Sequence, residues 1–461
     1  MKQFSLVFFA LIIGTSVFAQ RETNTNDNRF RQLYDVLPTP NAYRAASGAP
    51  GHEYWQQKAD YNMKITLDDS NQRVYGEETI KYTNNSPDVL TYLWVQLDQN
   101  VRAKDSDTYK IQTSSISERS SLRQLKSTMG PEYSDYDGGF KVDHVKDASG
   151  KAMNYVINKT MMRIDLDSPL KPGANVSFSI KWWYNINDRM AIGGRSGYEY
   201  FEENDNYLYT IAQFFPRMAT YTDNEGWQNK QFLGRGEFAL VFGDYDVSIT
   251  VPEDHYVSAT GVLTNEKDVL TAKERKRFEE ARTAYEEPVI IVTQAEAEEN
   301  EKTKATKNKT WRFKAENVRD FAFASSRKFI WDAMAVKQKN GTTVMAMSMY
   351  PKEGNPLWEQ YSTKAVAHTL KWYSHFTFDY PYPVAWSIHA ASIGMEYPMI
   401  CFNFGRPEKD GTYTARTKYG MIGVIIHEVG HNYFPMIVNS DERQWTWMDE
   451  GLNSFLQYLT E

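Results

Sequence analysis

The chain has 461 residues, 41% hydrophobic and 14% aromatic, a composition too apolar and aromatic for a disordered protein. Its formal net charge of −7 gives no basic field, which excludes nucleic acid and anionic lipid surfaces as expected partners. At roughly 150 residues per domain, this length suggests two or three domains.

Residues 1–19 have the pattern of a secretory signal peptide. Lys2 precedes an apolar run from Phe4 to Val17, and small residues at Val17 and Ala19 mark a cleavage site. The run is shorter than the roughly 20 residues of a membrane helix, and no later stretch approaches that length. We therefore expect an exported protein, periplasmic or extracellular after cleavage, without a membrane span.

The next two segments predict a linker followed by a strand-rich domain. Residues 20–51 are rich in Asn, Arg and Thr and show no periodicity, which indicates a linker or N-terminal arm. Apolar residues then alternate with polar ones in Tyr61–Leu67, Glu78–Thr83 and Tyr92–Leu97. Residues 52–335 thus predict an antiparallel β-rich domain, with a charged surface insertion at 265–309.

From Leu357 the apolar residues recur at helical spacing, which predicts a mainly helical second domain over residues 336–461. The chain has a single cysteine, Cys401, so it forms no intrachain disulfide. Cys401 lies in an apolar stretch, where a core residue is expected rather than a nucleophile. The helical run at Glu461 lacks a terminating residue, so we expect this domain to be incomplete at its C-terminus.

The chemistry is concentrated in residues 427–431, His-Glu-Val-Gly-His, which match the H-E-x-x-H pattern. His427 and His431 are four residues apart, so on a helix they project from one face and can bind one ion. Glu428 beside them can accept a proton from a zinc-bound water. The pattern alone also fits an ordinary helix with two histidines and a surface glutamate. Only the surrounding sequence can distinguish this alternative from a zinc site.

Glu450 supplies the third ligand that a catalytic zinc needs. Eighteen residues separate it from His431, enough for the first helix to end and a second helix to return a carboxylate to the metal. Two histidines, one glutamate and an open position form a Lewis-acid site rather than a closed structural site. We therefore predict one zinc ion per chain, bound by His427, His431 and Glu450.

Together with Gly394-Met395-Glu396, these residues resemble the gluzincin aminopeptidases of the aminopeptidase N family. The resemblance extends from about Tyr54 onward. It implies an α+β multidomain fold, in which an antiparallel β-saddle domain precedes a thermolysin-like, mainly helical zincin catalytic domain.

The resemblance also implies roles for residues outside the zinc motif. Glu396 would hold the α-ammonium group of the substrate, and the Gly394-Met395 backbone would line the peptide. Gln213 resembles the glutamine that makes a second contact to this ammonium; the alternative for its segment is a strand and turn with a solvated Arg217. Tyr397-Pro398 stands where the family usually has asparagine, which puts the local turn and the entrance pocket in question.

The expected function is therefore a zinc aminopeptidase, with Glu428 as general base and peptides with a free N-terminus as substrates. A thermolysin-like endopeptidase is the nearest alternative; the zinc ligands permit it and Glu396 argues against it. The family's oxyanion tyrosine follows the third ligand by some tens of residues, whereas 11 residues follow Glu450 here. A non-catalytic peptide-binding or scaffold relative, or an inactive chain, is the other alternative.

Overall fold

A computed structural model describes residues 40–111, 119, 121, 135–234 and 236–461. The predicted signal peptide and residues 20–39 of the predicted arm lie outside this range. The chain divides into two compact units, and the smaller one contains residues 40–55 and 221–226 of the described chain. In that unit, Arg44 donates to the Asp223 carboxylate over 2.7 Å, and Trp55 stacks on Tyr221.

The described residues form a mixed α/β structure with many strands and few helices. The strands are β1 (Lys58–Asp68), β2 (Arg73–Thr83), β3 (Leu90–Gln96), β4 (Lys141–Asp147), β5 (Tyr155–Asn158), β6 (Met161–Leu170), β7 (Asn175–Asn185), β8 (Gly197–Phe201), β9 (Asn206–Ile211), β10 (Arg217–Met218), β11 (Tyr221–Thr222), β12 (Gly226–Trp227), β13 (Gly243–Pro252), β14 (Tyr256–Ala259), β15 (Val262–Leu263), β16 (Val289–Val292), β17 (Asn308–Val318), β18 (Phe323–Ser326), β19 (Ile330–Lys337), β20 (Thr343–Tyr350), β21 (Val384–His389), β22 (Met395–Tyr397) and β23 (Ile400–Asn403). The α-helices are α1 (Thr108–Ile111), α2 (Arg189–Ile192), α3 (Glu266–Val269), α4 (Ala272–Ala281), α5 (Gln294–Asn300), α6 (Leu357–Phe376), α7 (Ala415–Gly430) and α8 (Leu452–Thr460).

The first part of the larger unit is built around a seven-stranded sheet, ordered β15-β17-β13-β1-β2-β7-β4. Its central strands alternate buried and exposed residues, as their period-two sequences predict. β1 and β2 are antiparallel over their full lengths, whereas β1 and β13 are parallel. Two four-stranded sheets, β10-β3-β6-β5 and β14-β18-β9-β8, complete the strand-rich region that the sequence predicts.

A six-stranded mixed sheet, ordered β16-β19-β20-β21-β23-β22, supports the candidate site. β20, β21 and β23 are parallel neighbours, and α6 makes the connection that parallel β20 and β21 require. α7 packs on α6 and on β23. β22 forms one edge of the sheet and pairs only with β23 among the described strands.

The prediction of a mainly helical second domain is not supported. Residues 336–461 contain β20, β21, β22 and β23 as well as three helices. These strands are buried almost throughout, so they are continuous apolar runs without the period-two alternation that marks half-exposed strands. None of the helices in the described ranges combines the length and apolarity that a membrane crossing needs.

The charged insertion at 265–309 contains α3, α4, β16 and α5. Thr271 and Glu274 form a capping box at the start of α4, and β16 pairs with β19. The domain boundaries inferred from the sequence stay predictions; β19 runs across residue 335. Cys401 is fully buried in β23, as the sequence predicts, and burial raises the pKa of its thiol.

Candidate metal centre

α7 presents the two histidines of the H-E-x-x-H pattern. The helix begins at the N-cap Thr414, whose side chain accepts from the Thr417 amide over 3.1 Å. His427 lies in the last turn and His431 is the C-cap residue. Their Nε2 atoms are 3.0 Å apart, so both rings face the same point.

Glu450 comes to the same point from a single π-helical turn, Trp447–Gly451, that leads into α8. Its Oε2 atom lies 3.1 Å from His427 Nε2 and 3.5 Å from His431 Nε2. Ligands of one tetrahedral zinc, each about 2.05 Å from the ion, are separated by about 3.3 Å. The three donor atoms therefore have the spacing and the chemistry of a zinc site.

The outward-facing nitrogen of each ring has an oxygen partner. His427 Nδ1 is 2.8 Å from Gln457 Oε1. His431 Nδ1 is 3.0 Å from the Phe434 carbonyl oxygen and 3.0 Å from Asp449 Oδ1. Such partners take the Nδ1 proton, which leaves the Nε2 lone pairs directed at the metal position.

Asp449, Asn453 and Gln457 are the residues of this centre that the sequence analysis missed. Asn453 Nδ2 donates to the His427 carbonyl oxygen over 2.9 Å, which ties α8 to the end of α7. Asn453 and Gln457 are four residues apart in α8 and therefore share a face of it. The sequence did contain a signal for them, because Asn453 and Gln457 are side-chain amides one helical turn apart that closely follow the predicted ligand Glu450.

Glu428 is buried beside the candidate zinc ligands, on the side facing Gly394. A Cβ atom on Gly394 would lie 2.3 Å from Glu428 Oε1 and 2.7 Å from Val424 Cγ2, so only glycine fits there without displacing the carboxylate. Burial raises the pKa of Glu428 to about 7, against the opposing effect of His431 and His427. Glu428 is thus a carboxyl group that can both accept and release a proton near neutrality.

Glu396 lies in β22 and is 4% exposed. One carboxylate oxygen each of Glu396, Glu237 and Glu442 lie within 4.8 Å of one another. A Glu396 oxygen also lies within 4.8 Å of a ring nitrogen of His431 and of a carboxylate oxygen of Asp449. Burial raises the pKa of Glu396 well above its usual range; His431 opposes this and Glu237 adds to it. Arg195 pairs with Glu237, and Arg319 pairs with Glu442.

Met395 is buried next to Glu396 in β22. Within the described ranges, no hydrogen bond or ion pair joins Gln213 to Glu396 or to the candidate zinc ligands. Gln213 has a φ of 54°, and its carbonyl oxygen accepts from Gln99 Nε2 over 3.0 Å. Its side-chain nitrogen is buried and has no partner among the described residues. The alternative of a solvated Arg217 is wrong, because that side chain is 1% exposed.

Arg217 lies in a buried ion-pair network rather than in solvent. It contacts Asp98 Oδ2 over 2.7 Å and also donates to Asp320. Asp98 and Asp320 are buried as well, so one guanidinium is shared between two buried carboxylates.

Comparison with solved structures finds the fold of zinc metallopeptidases of the M1 type. The crystal structure of the M1 zinc metallopeptidase from Deinococcus radiodurans is similar at a TM-score of 0.50 and 14% sequence identity, over 88% of this chain and 70% of that one. A mutant of that enzyme bound to a Tyr-Ser-Ala substrate gives a TM-score of 0.49 at 13% identity, over 88% of this chain and 70% of that chain. No protein-family model matches the sequence, and no curated protein matches it.

At this level of identity the comparison shows the fold alone. It supports the predicted family at the level of the fold. The roles of individual residues rest on the geometry around His427, His431 and Glu450.

Proposed function

We propose that the protein is a zinc-dependent aminopeptidase that removes the first residue of a peptide. The main support for this proposal is that His427 Nε2, His431 Nε2 and Glu450 Oε2 converge on one point. The Nδ1 atom of each histidine has an oxygen partner, which orients the ring. This donor set fits one zinc ion with a position left for substrate or water. When bound there, zinc supplies Lewis-acid chemistry that polarises a peptide carbonyl and makes water more acidic.

Glu428 is the proposed general base. Its side chain extends from the ligand helix α7 itself, is shielded from solvent, and has a pKa raised to about 7 by burial, close to neutral pH. It takes a proton from the attacking water and passes it to the leaving amine. Gly394 leaves the space that this carboxylate occupies.

Glu396 is the proposed anchor for the substrate's free α-ammonium. Its neighbourhood holds an excess of carboxylates, since Arg195 and Arg319 match Glu237 and Glu442 but no basic residue of the described chain forms an ion pair with Glu396. A substrate ammonium would offset the charge that burial makes costly. β22 is an edge strand, which supports pairing of its backbone with an extended peptide.

The Glu428→Gln variant tests the proposal. It should bind zinc as the parent does, measured by metal analysis, and lose at least about 100-fold in kcat on an aminoacyl-p-nitroanilide. Glu408→Gln, an exposed glutamate, is the matched control and should keep full activity. Equal activity of the Glu428→Gln variant would contradict the proposed base.

Substrates with a free or an acetylated N-terminus separate an aminopeptidase from an endopeptidase. Acetylation removes the charge that Glu396 is proposed to bind, so cleavage of the acetylated peptide should be lost. Equal cleavage of the two peptides would favour the endopeptidase. Zinc binding with cleavage of neither peptide would favour the non-catalytic alternative.

A further inference from the structure

A second group of mostly buried polar side chains contains none of the residues of the candidate zinc site. It consists of Arg189 at the start of α2, Glu199 in β8, His389 at the end of β21 and Arg406 after β23. We call these four residues the arginine cluster. Arg189 is 4% exposed, Glu199 is 6% exposed and His389 is fully buried.

The cluster contains more hydrogen-bond donors than the protein satisfies. Arg189 Nη1 donates to the Ala391 carbonyl oxygen, but its Nε and Nη2 atoms are buried and have no partner among the described residues. Arg406 donates to both Glu199 oxygens over 2.8 and 3.1 Å, and its buried Nε is left without a partner there. Both ring nitrogens of His389 are buried and equally unpartnered within the described chain.

The charges of the cluster are also unequal. Glu199 is paired with Arg406, whereas Arg189 forms no ion pair with any described residue. A guanidinium group is always charged, and burying one without a counter-charge is strongly unfavourable. Burial lowers the pKa of Arg189; Glu199 opposes this effect and Arg406 adds to it.

His389 completes the set as a neutral donor. Burial holds the pKa of His389 well below its usual range, and the charges of Arg406 and Arg189 act in the same direction. A neutral imidazole still carries one N–H group, which has no acceptor in the described protein. The ring packs against Trp358, with 5.1 Å between centroids, so it has little freedom to turn towards another partner.

We propose that the arginine cluster binds one small inorganic anion, with chloride as the best fit, held by Arg189, Arg406 and His389. An anion accepts hydrogen bonds from all three side chains and neutralises the unpaired positive charge, whereas a water molecule would satisfy donors without neutralising it. Because Arg189 and His389 are both buried, a monatomic ion needs less displacement of the surrounding protein than an organic carboxylate would.

The bound anion would join two distant parts of the chain. Arg189 and Glu199 come from the strand-rich region, whereas His389 ends β21 of the six-stranded sheet and Arg406 lies three residues after β23. Arg189 also holds Ala391, three residues before Gly394, through its hydrogen bond. Chloride should therefore stabilise the native protein, whether or not the proposed peptidase activity is correct.

Thermal unfolding at constant ionic strength tests this site, with chloride exchanged for gluconate, which is too large for a buried position. The melting temperature should rise with chloride and saturate, by roughly 2–4 °C or more. Diffraction from a crystal soaked in sodium bromide should show an anomalous peak between Arg189, His389 and Arg406. Equal melting temperatures in chloride and gluconate, or a bromide map without that peak, would overturn the proposal.

The Arg189→Met variant provides a sharper comparison, because it removes the unpaired charge and keeps much of the side-chain volume. It should lose the chloride response and be at least as stable as the parent protein in gluconate. Arg312→Met, at an exposed position in β17, is the control and should keep the chloride response. A chloride response that survives in Arg189→Met would contradict the assignment.

Discussion

Gly394→Ala should impair catalysis while leaving the metal and the fold in place. The new methyl group would lie 2.3 Å from Glu428 Oε1, where ordinary contact begins near 3.4 Å. The carboxylate oxygen therefore has to move by about 1 Å, and a displacement of that size costs about 100-fold in rate. Glu428 Oε1 is the end of a flexible side chain and can move cheaply. Val424 Cγ2, 2.7 Å from the new methyl group, belongs to a stiff side chain, so a modest fall in melting temperature is expected beside the loss of activity.

The assay compares kcat/KM on an aminoacyl-p-nitroanilide with zinc content and melting temperature for the same preparation. Zinc content should be unchanged, since the three atoms nearest to the new methyl group belong to Glu428 and Val424 rather than to a proposed ligand. Gly420→Ala is the matched control, because the nearest atom to its new Cβ is 4.0 Å away in Phe404. The reasoning is refuted if Gly394→Ala keeps more than about a third of the parent activity, against the 100-fold loss expected.

Three further predictions concern residues around and beyond the metal centre. Gln457→Leu should weaken zinc binding by about 10–100-fold in competition with a chromogenic chelator, because His427 loses the acceptor that orients it. Arg217→Met should lower the free energy of unfolding in urea by about 3–5 kcal/mol, since Asp98 is left buried without its counter-charge. Burial lowers the pKa of His255 from 6.5 to about 4, so below pH 6.5 the unfolded state binds a proton that the folded state does not. Stability should therefore fall as the pH falls from 6.5 to 4, and His255→Asn should reduce this loss by up to about 3 kcal/mol.

Exposed residues of the same types serve as controls for two of these variants. Arg312→Met should leave the free energy of unfolding nearly unchanged, and His52→Asn should leave the pH profile as it is. Zinc affinity unchanged in Gln457→Leu would show that His427 is oriented by other contacts. If Arg217→Met is as stable as Arg312→Met, the buried ion pair of Arg217 does not stabilise the fold as argued. If His255→Asn loses stability in acid as the parent protein does, protonation of His255 is not the cause of that loss.

The convergence of His427, His431 and Glu450 could be predicted from the sequence because their arrangement is mostly local. The spacing of His427 and His431 follows from the pitch of one helix. Glu450 is on the next helical segment, and the intervening 18 residues leave few ways to return to the ligand helix. Gly394 and Glu396 came from the family resemblance rather than from periodicity, and the close contact of Gly394 with Glu428 could only be seen in three dimensions.

The surroundings of Glu396 could not be predicted in the same way. Glu237 and Glu442 are far apart in sequence, and only tertiary packing brings their carboxylates near Glu396. The expectation of a solvated Arg217 has the same origin, because its partners Asp98 and Asp320 lie 119 and 103 residues away in the sequence. Burial of a charged residue depends on such distant partners, and no local pattern in the sequence reports it.

The position of the metal ligands at the end of α7 has an energetic consequence of its own. The aligned peptide dipoles of a helix place partial negative charge at its C-terminus. His427 is in the last turn and His431 caps that end, so a bound cation would lie close to the negative end of the helix dipole as well as against its three ligands. The last turn of α7 should therefore favour a divalent ion by roughly 0.3–1 kcal/mol, in addition to the attraction of the ligands themselves.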